Sequence, residues 1–144
     1  MPHEIPQALR ALIGKTRSRT RTVTPEHIRR FAQAIGESDD VKAPPLFCQS
    51  FIFEDVPLAS LPPDGSPIEL DAPIPASRAV GGSSSFEFPG DIRAGDILRI
   101  ESTLRDAYVK EGKGGLLYFL VIETSFVNQE GKLVAKESAT YIKR

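Results

Sequence analysis

Leu116-Leu117-Tyr118-Phe119-Leu120-Val121-Ile122 is the longest unbroken apolar run in the chain. It stands between two turn signals, Gly112-Lys113-Gly114-Gly115 before it and Asn128-Gln129-Glu130-Gly131 after it. Seven apolar residues cannot cross a bilayer, which takes about 20. A β-strand over 115–128 fits both the run and its flanks. Working outward, further strands are expected over 97–109 and 133–143, joined through the two glycine turns as hairpins, with another over 83–88. Three long antiparallel strands in meander order need apolar material laid across one face. The layout this implies is α+β, with a single strongly curved antiparallel sheet.

The elements that could cover that face lie in the first half. Around residues 6–13, Pro6 suits a first helical position, Leu9, Leu12 and Ile13 share a face, and Gly14 can end the helix. Arg17-Ser18-Arg19-Thr20-Arg21-Thr22 alternates strictly, which puts three guanidiniums on one side of a strand. A second helix follows: Thr24 caps it, Pro25 takes its first position, and Glu26 favours the positive end of its dipole. Ile28, Phe31, Ala32 and Ile35 form its apolar stripe, and Gly36 ends it. Nine of the twelve prolines fall between Pro44 and Pro89, nearly all in an acidic, loop-like zone over 37–80. Long irregular segments of this kind usually cover a site. Within it, a short helix over Phe47–Glu54 is the candidate to lie across the sheet, because the early helices cannot easily do so alone.

At 144 residues, with 40% hydrophobic and 26% charged content, the chain suits one domain over 1–144 with a sizeable core. Its net charge of −1 hides an uneven distribution: seven bases against Glu26 alone over 10–30, then eight acids against Lys42 alone over 31–75. A pI near 6.1 argues against a nucleic-acid binder. The basic segment suits attraction of a phosphorylated ligand or an acidic carrier protein; the simpler reading is a solvated face. Met1-Pro2-His3-Glu4 opens no signal peptide, and no membrane association is expected. Cys48 stands alone, so no intrachain disulfide or multi-Cys zinc site can form, and a reducing cytoplasm is the expected location.

No Walker loop, Cys-x-x-Cys, His-Glu-x-x-His or Gly-x-Ser-x-Gly motif occurs. His27 lies off the apolar stripe and reads as a surface residue, so no metal site is expected. Asp39 and Asp40 leave the second helix in Gly36-Glu37-Ser38-Asp39-Asp40. Adjacent carboxylates in a tight loop can raise one another's pKa and supply an acid or a base, which makes both catalytic candidates; the simpler reading is a solvated turn. Gly81 and Gly82, with Ser83, are the substrate-binding candidates. Glycines at a strand start mark either close backbone approach to a ligand, with a free N–H to polarise a carbonyl, or a bulge. On the first reading, a branched side chain at Gly82 blocks the ligand and leaves the fold intact.

The order of these pieces resembles the MaoC-like dehydratase superfamily, in its N-terminal-half type. The resemblance is carried by Val23–Gly36, by Ala43-Pro44-Pro45-Leu46-Phe47, by Gly81-Gly82-Ser83-Ser84-Ser85-Phe86-Glu87-Phe88 and by Ile92-Arg93-Ala94-Gly95-Asp96. Gly114-Gly115-Leu116-Leu117 and Gly131-Lys132-Leu133-Val134-Ala135 fit the last two strands. The resemblance implies a hot-dog fold, an antiparallel sheet wrapped around one central helix. It implies pairing of two such units, alike or different, with acyl thioesters of coenzyme A or acyl carrier protein bound between them as substrate and no further cofactor. It implies reversible hydration of a trans-2-enoyl thioester to the (R)-3-hydroxyacyl thioester, with an Asp and a His activating water and a backbone N–H holding the thioester oxygen.

The chain departs from the family at one place. Active members carry Gly-Asp-x-Asn-Pro-x-His just after the second helix; this sequence has Gly36-Glu37-Ser38-Asp39-Asp40-Val41-Lys42-Ala43-Pro44, with no His. Histidine is the usual group for taking and giving a proton near neutral pH. Its absence points to a catalytically silent half whose partner supplies Asp and His. Two alternatives stay open: a homodimer with its own hydratase or thioesterase chemistry, and a non-enzymatic module that binds acyl thioesters or another small ligand. An open sheet edge implies a dimer or larger assembly in any of these cases.

Overall fold

The computed structural model describes residues 3–53, 55–67 and 72–144. Helix α1 (Gln7–Arg10) leads into strand β1 (Thr16–Thr22), then helix α2 (Pro25–Ala34), a 3₁₀ helix over Pro45–Phe51 and a 3₁₀ turn over Leu58–Ser60. Strands β2 (Ala79–Glu87), β3 (Ile97–Gly112), β4 (Gly115–Val127) and β5 (Leu133–Lys143) complete the chain. The five strands form one antiparallel sheet in the order β1-β3-β4-β5-β2. The β3–β5 meander follows the expected pattern, although β3 runs three residues further, to Gly112, where a tight turn returns it to Gly115. Strand β2 starts four residues earlier than expected, because Ala79, Val80 and Gly81 pair with Lys143, Ile142 and Tyr141.

One face of the sheet is concave and carries the core. Leu98 and Ile100 of β3, Phe126 of β4 and Val134 and Ala135 of β5 pack there against Val23, Ile28, Phe47, Phe51 and Ile92. Helix α2 is fastened at its start by a reciprocal cap: His27 N donates to Thr24 Oγ1 (3.1 Å) and Thr24 N to His27 Nδ1 (3.4 Å). His27 is exposed, as expected, and also sets its ring edge-on to Phe51. Ile28 and Ala32 of the stripe are buried and Phe31 packs against the core. Ile35 does not join them. The helix ends at Ala34, Ile35 leaves helical geometry at φ −107°, and its side chain is 53% exposed.

The middle helix is shorter than expected and of the tighter 3₁₀ type. It begins at Pro45, after the cap position Pro44, and stops at Phe51; residue 54, in the expected span, lies outside the described residues. Its seven residues bury Phe47, Cys48 and Phe51 against the sheet. At about 2.0 Å per residue it spans only about 14 Å, while the thirteen residues of β4 extend for about 44 Å at 3.4 Å each. Helix α1 is also short, with Pro6 as its cap rather than its first residue, and buries Leu9 against Ala107 and Leu120 near the other end of the sheet. Two separate clusters therefore cover the concave face, with a gap between them.

The alternating arginines of β1 serve this arrangement. Arg19 Nη2 donates to the carbonyls of Phe51 and Ile52 at the end of the 3₁₀ helix. The Arg21 guanidinium sits 5.5 Å from the centroid of the Phe51 ring and 3.8 Å from the Asp55 carboxylate. Cations suit the carbonyl end of a helix, so two of the three guanidiniums fasten the helix to the sheet edge and are not a solvated face. At the far corner, the nearly buried pair Lys143 Nζ–Asp64 Oδ2 (2.8 Å), backed by Ser66 Oγ (2.6 Å to Asp64), ties the proline-rich segment to the end of β5.

Gly82 is a bulge. The β2–β5 register shifts between Gly81 and Ser83, and a Cβ on Gly82 would lie 2.7 Å from the carbonyl oxygen of Thr140. The expectation that a branched residue there leaves the fold intact is corrected by this contact with backbone. Gly82→Ala should cost about 1–3 kcal/mol through overpacking, read from urea unfolding. Gly81→Ala, whose Cβ meets nothing within 4 Å, should stay within about 0.5 kcal/mol of wild type. Equal loss in both variants would contradict the bulge as the constraint.

Candidate functional site

The gap between the two clusters is a cavity of about 310 Å3, at the lower end of the roughly 300–1,000 Å3 found for small-molecule sites. Leu9 and Leu12 close one end and Ile52 and Phe53 the other, over a floor of Leu104, Leu120, Ile122 and Ala139. A second, shallower groove runs along β2 past Gly81, Gly82, Ser83 and Ser84. Glu137, Ala139 and Tyr141 border both spaces, so the groove and the cavity share one wall.

A polar row crosses this otherwise apolar floor. Strand register aligns Arg17 with Ser102, Ser102 with Thr124, and Thr124 with Glu137. Ser102 Oγ and Thr124 Oγ1 are hydrogen-bonded at 3.0 Å. Ser84 Oγ donates to Glu137 Oε1 at 2.6 Å, which among the described residues is the hydrogen bond that this carboxyl receives. The rows on either side are apolar in the sheet interior: Ile100, Phe126 and Ala135 on one, Leu104, Ile122 and Ala139 on the other. Thr124 is 1% and Glu137 2% exposed.

Burial pushes the Glu137 carboxyl above the ordinary carboxylate range, and the Ser84 hydrogen bond opposes only part of that rise. Burial, with the Glu137 charge adding to it, pushes Cys48 up to about 12 and Tyr141 up to about 12. Cys48 is therefore a neutral packing group, since a nucleophilic cysteine needs thiolate character.

The catalytic candidates Asp39 and Asp40 stand elsewhere. Both are exposed and border neither space. Asp39 Oδ1 accepts from Val41 N (2.8 Å) and Lys42 N (3.2 Å), and these backbone donors hold its pKa below the ordinary value. A carboxylate so engaged makes a turn and is a weak base. Gly81, Gly82 and Ser83 do line the groove. Among the described residues, no three His, Cys, Asp or Glu converge as a metal set, and no helix is long and apolar enough to cross a membrane. Sequence reasoning passed over Glu137, although a signal existed: it shares the inward parity of Ala135, Ala139 and Tyr141, where a lone charge is out of place.

A five-stranded antiparallel sheet with short helices packed on one face defines the hot-dog class. A model of the FAS1-like, dehydratase domain region matches residues 11–137, and the chain belongs to that family. No curated protein matches the sequence. Among solved structures, a chain of the C-terminally truncated HadBC (3R-hydroxyacyl-ACP dehydratase) complex from Mycobacterium tuberculosis superposes with a TM-score of 0.66 at 18% identity, covering 91% of this chain and 96% of that one. The MaoC-like dehydratase from Rhodospirillum rubrum gives 0.59 at 15% identity, with coverage of 96% and 97%. The R-hydratase PhaJ1 from Pseudomonas aeruginosa gives 0.59 at 16%, with 91% and 81%. At these identities the likeness is one of fold.

The raised Glu137 pKa has a consequence for stability. The unfolded chain ionises this group near the ordinary value of 4.5, while the folded chain holds its proton to higher pH. Stability is thus highest on this account below that value and falls as pH climbs through the raised pKa. Glu137→Gln should remove the decline, so the variant gains on wild type between pH 4 and pH 8 in parallel chemical unfolding series. Carboxylates with lowered pKa, such as Asp39 and Asp64, titrate alike in both proteins and cancel. A constant difference across that range would refute a buried acid at this position.

Proposed function

We propose that this chain is the catalytically silent, acyl-binding half of a hot-dog hydratase or dehydratase. The pair would add the OH of water to C3 and its H to C2 of a trans-2-enoyl thioester, or remove both in reverse. The carrying observation is the separation inside this chain: an apolar cavity shaped for an acyl chain on the concave face, and the Asp39-Asp40 turn out in solvent, with no histidine in that loop. The substrate is a thioester of coenzyme A or acyl carrier protein, and no other cofactor is needed. The acyl chain enters from the groove beside Gly81, Gly82 and Ser83, and a second hot-dog subunit in the cytoplasm contributes the Asp and His that activate water. The HadBC complex, a dehydratase named by two components, supports this pairing.

General acid–base groups are worth about 10²–10⁴-fold, and this chain by itself lacks them in the required place. Hydration of crotonyl-CoA and octenoyl-CoA, followed by loss of enoyl absorbance, should be negligible for this chain alone. It should rise well above the partner's own rate when a hot-dog partner bearing Asp and His is added. Asp39→Asn and Asp40→Asn should leave the activity of the pair within about twofold. Strong turnover by this chain alone, abolished by either substitution, would overturn the silent-half reading in favour of a self-sufficient homodimer.

A further inference from the structure

The polar row on the cavity floor is not explained by holding a plain alkyl chain. Burying hydroxyl and carboxyl groups under apolar surface carries a free-energy cost unless each finds a partner. Ser102 and Thr124 satisfy one another. Glu137 receives one bond, from Ser84 to Oε1, yet its carboxyl offers roughly four acceptor sites, or one donor and the rest when protonated. It stands on the wall shared by the groove and the cavity. Tyr141, on the same strand and the same face, borders both spaces as well. An alkyl chain laid there would leave that hydrogen-bonding capacity unmet.

Resting on the acyl-binding function proposed above, we infer that Glu137, with Ser84 behind it and Tyr141 beside it, is a specificity-determining residue that selects acyl thioesters carrying a hydrogen-bonding oxygen, a hydroxyl or carbonyl, on the acyl chain beyond C3. Ser84 orients the carboxyl by engaging Oε1 and leaves Oε2 for the ligand. Either protonation state serves a hydroxyl ligand, since an ionised carboxyl accepts its proton and a neutral one can also donate. A carbonyl ligand requires the neutral form. Sites built to hydrogen-bond a substrate group discriminate strongly against the analogue lacking it, because their own polar group is left unpaired.

The test is calorimetric binding of octanoyl-CoA and of its 5- and 7-hydroxy derivatives, to this chain and to its complex with an Asp- and His-bearing hot-dog partner. At least one hydroxy derivative should bind about tenfold or more tightly than octanoyl-CoA, the discrimination expected from one unpaired buried polar group. Glu137→Leu should erase that preference and tighten octanoyl-CoA, whereas Glu137→Gln should retain part of it. Ser84→Ala, which removes only the orienting bond at an exposed strand position, should weaken the preference without unfolding the protein. Octanoyl-CoA binding as tightly as every hydroxy derivative, or a preference that survives Glu137→Leu, would overturn the inference while leaving the acyl-binding function standing. Failure of all three thioesters to bind either form would overturn the acyl-binding function, and this inference with it.

Discussion

The concave face of a strongly curved sheet has to be covered, and here the segment that covers it is too short for the task. Seven residues of 3₁₀ helix over Pro45–Phe51 reach one end of the floor; the single turn of α1 reaches the other. Everything distinctive about the molecule follows from that shortfall. The 3₁₀ helix cannot hold itself in place by length, since such helices have poorer hydrogen-bond geometry and rarely run on. It is held instead by three aromatic rings, with Phe47 between Phe31 and Phe51, and by the Arg19 guanidinium on its last carbonyls. The space it leaves open is the cavity. A longer helix would have filled it with side chains and produced a better-packed protein with no room for a ligand.

The same constraint explains which parts of the structure could be read from the sequence. Strands β3 to β5 were legible because their alternation and their glycine turns are local, and antiparallel neighbours in sequence are neighbours in the sheet. Helix α2 was legible for the same reason: Thr24, Pro25 and the Ile28–Ala32 spacing all act within one or two turns. The 3₁₀ helix was not. Pro44-Pro45 marked its start correctly, but its end at Phe51 is set by an arginine 32 residues away, and no local pattern reports such a partner. Ile35 was misread because periodicity continues past the point where Gly36, at φ +80°, ends the helix.

The candidate site was legible by halves. Gly81 and Gly82 drew attention as a place where backbone comes close to something, and the structure sets them along a groove. The Asp39-Asp40 pair attracted a chemical reading because adjacent carboxylates in a loop are a familiar way to supply a proton. In the structure Asp39 accepts two backbone N–H groups with its carboxylate and borders neither the cavity nor the groove. Glu137 was missed for a simpler reason. In a strand that also carries Lys136 and Lys143, one more charge looks like ordinary surface until the parity of the neighbouring alanines is counted.

The glycine bulge and the buried acid are parts of one arrangement. Along β5, Glu137, Ala139 and Tyr141 face the cavity, and β2 must present the matching parity to reach them. Gly81 lies opposite Tyr141, and without an extra residue Ser83 would lie opposite Ala139 and Ser84 opposite Ser138, on the outer face. The bulge at Gly82 advances the register by one, so that Ser84 lies opposite Ala139 and Phe86 opposite Glu137. A one-residue slip exchanges the faces of a strand, and here it turns Ser84 and Phe86 inward. Ser84 then meets Glu137 at 2.6 Å and Phe86 joins the core. Glycine is required at the bulge because a Cβ would strike the Thr140 carbonyl. The two readings that the sequence left open for this glycine pair, ligand approach and bulge, are therefore compatible. The backbone irregularity gives the cavity wall its oriented carboxyl, and it does so on the strand that borders the groove.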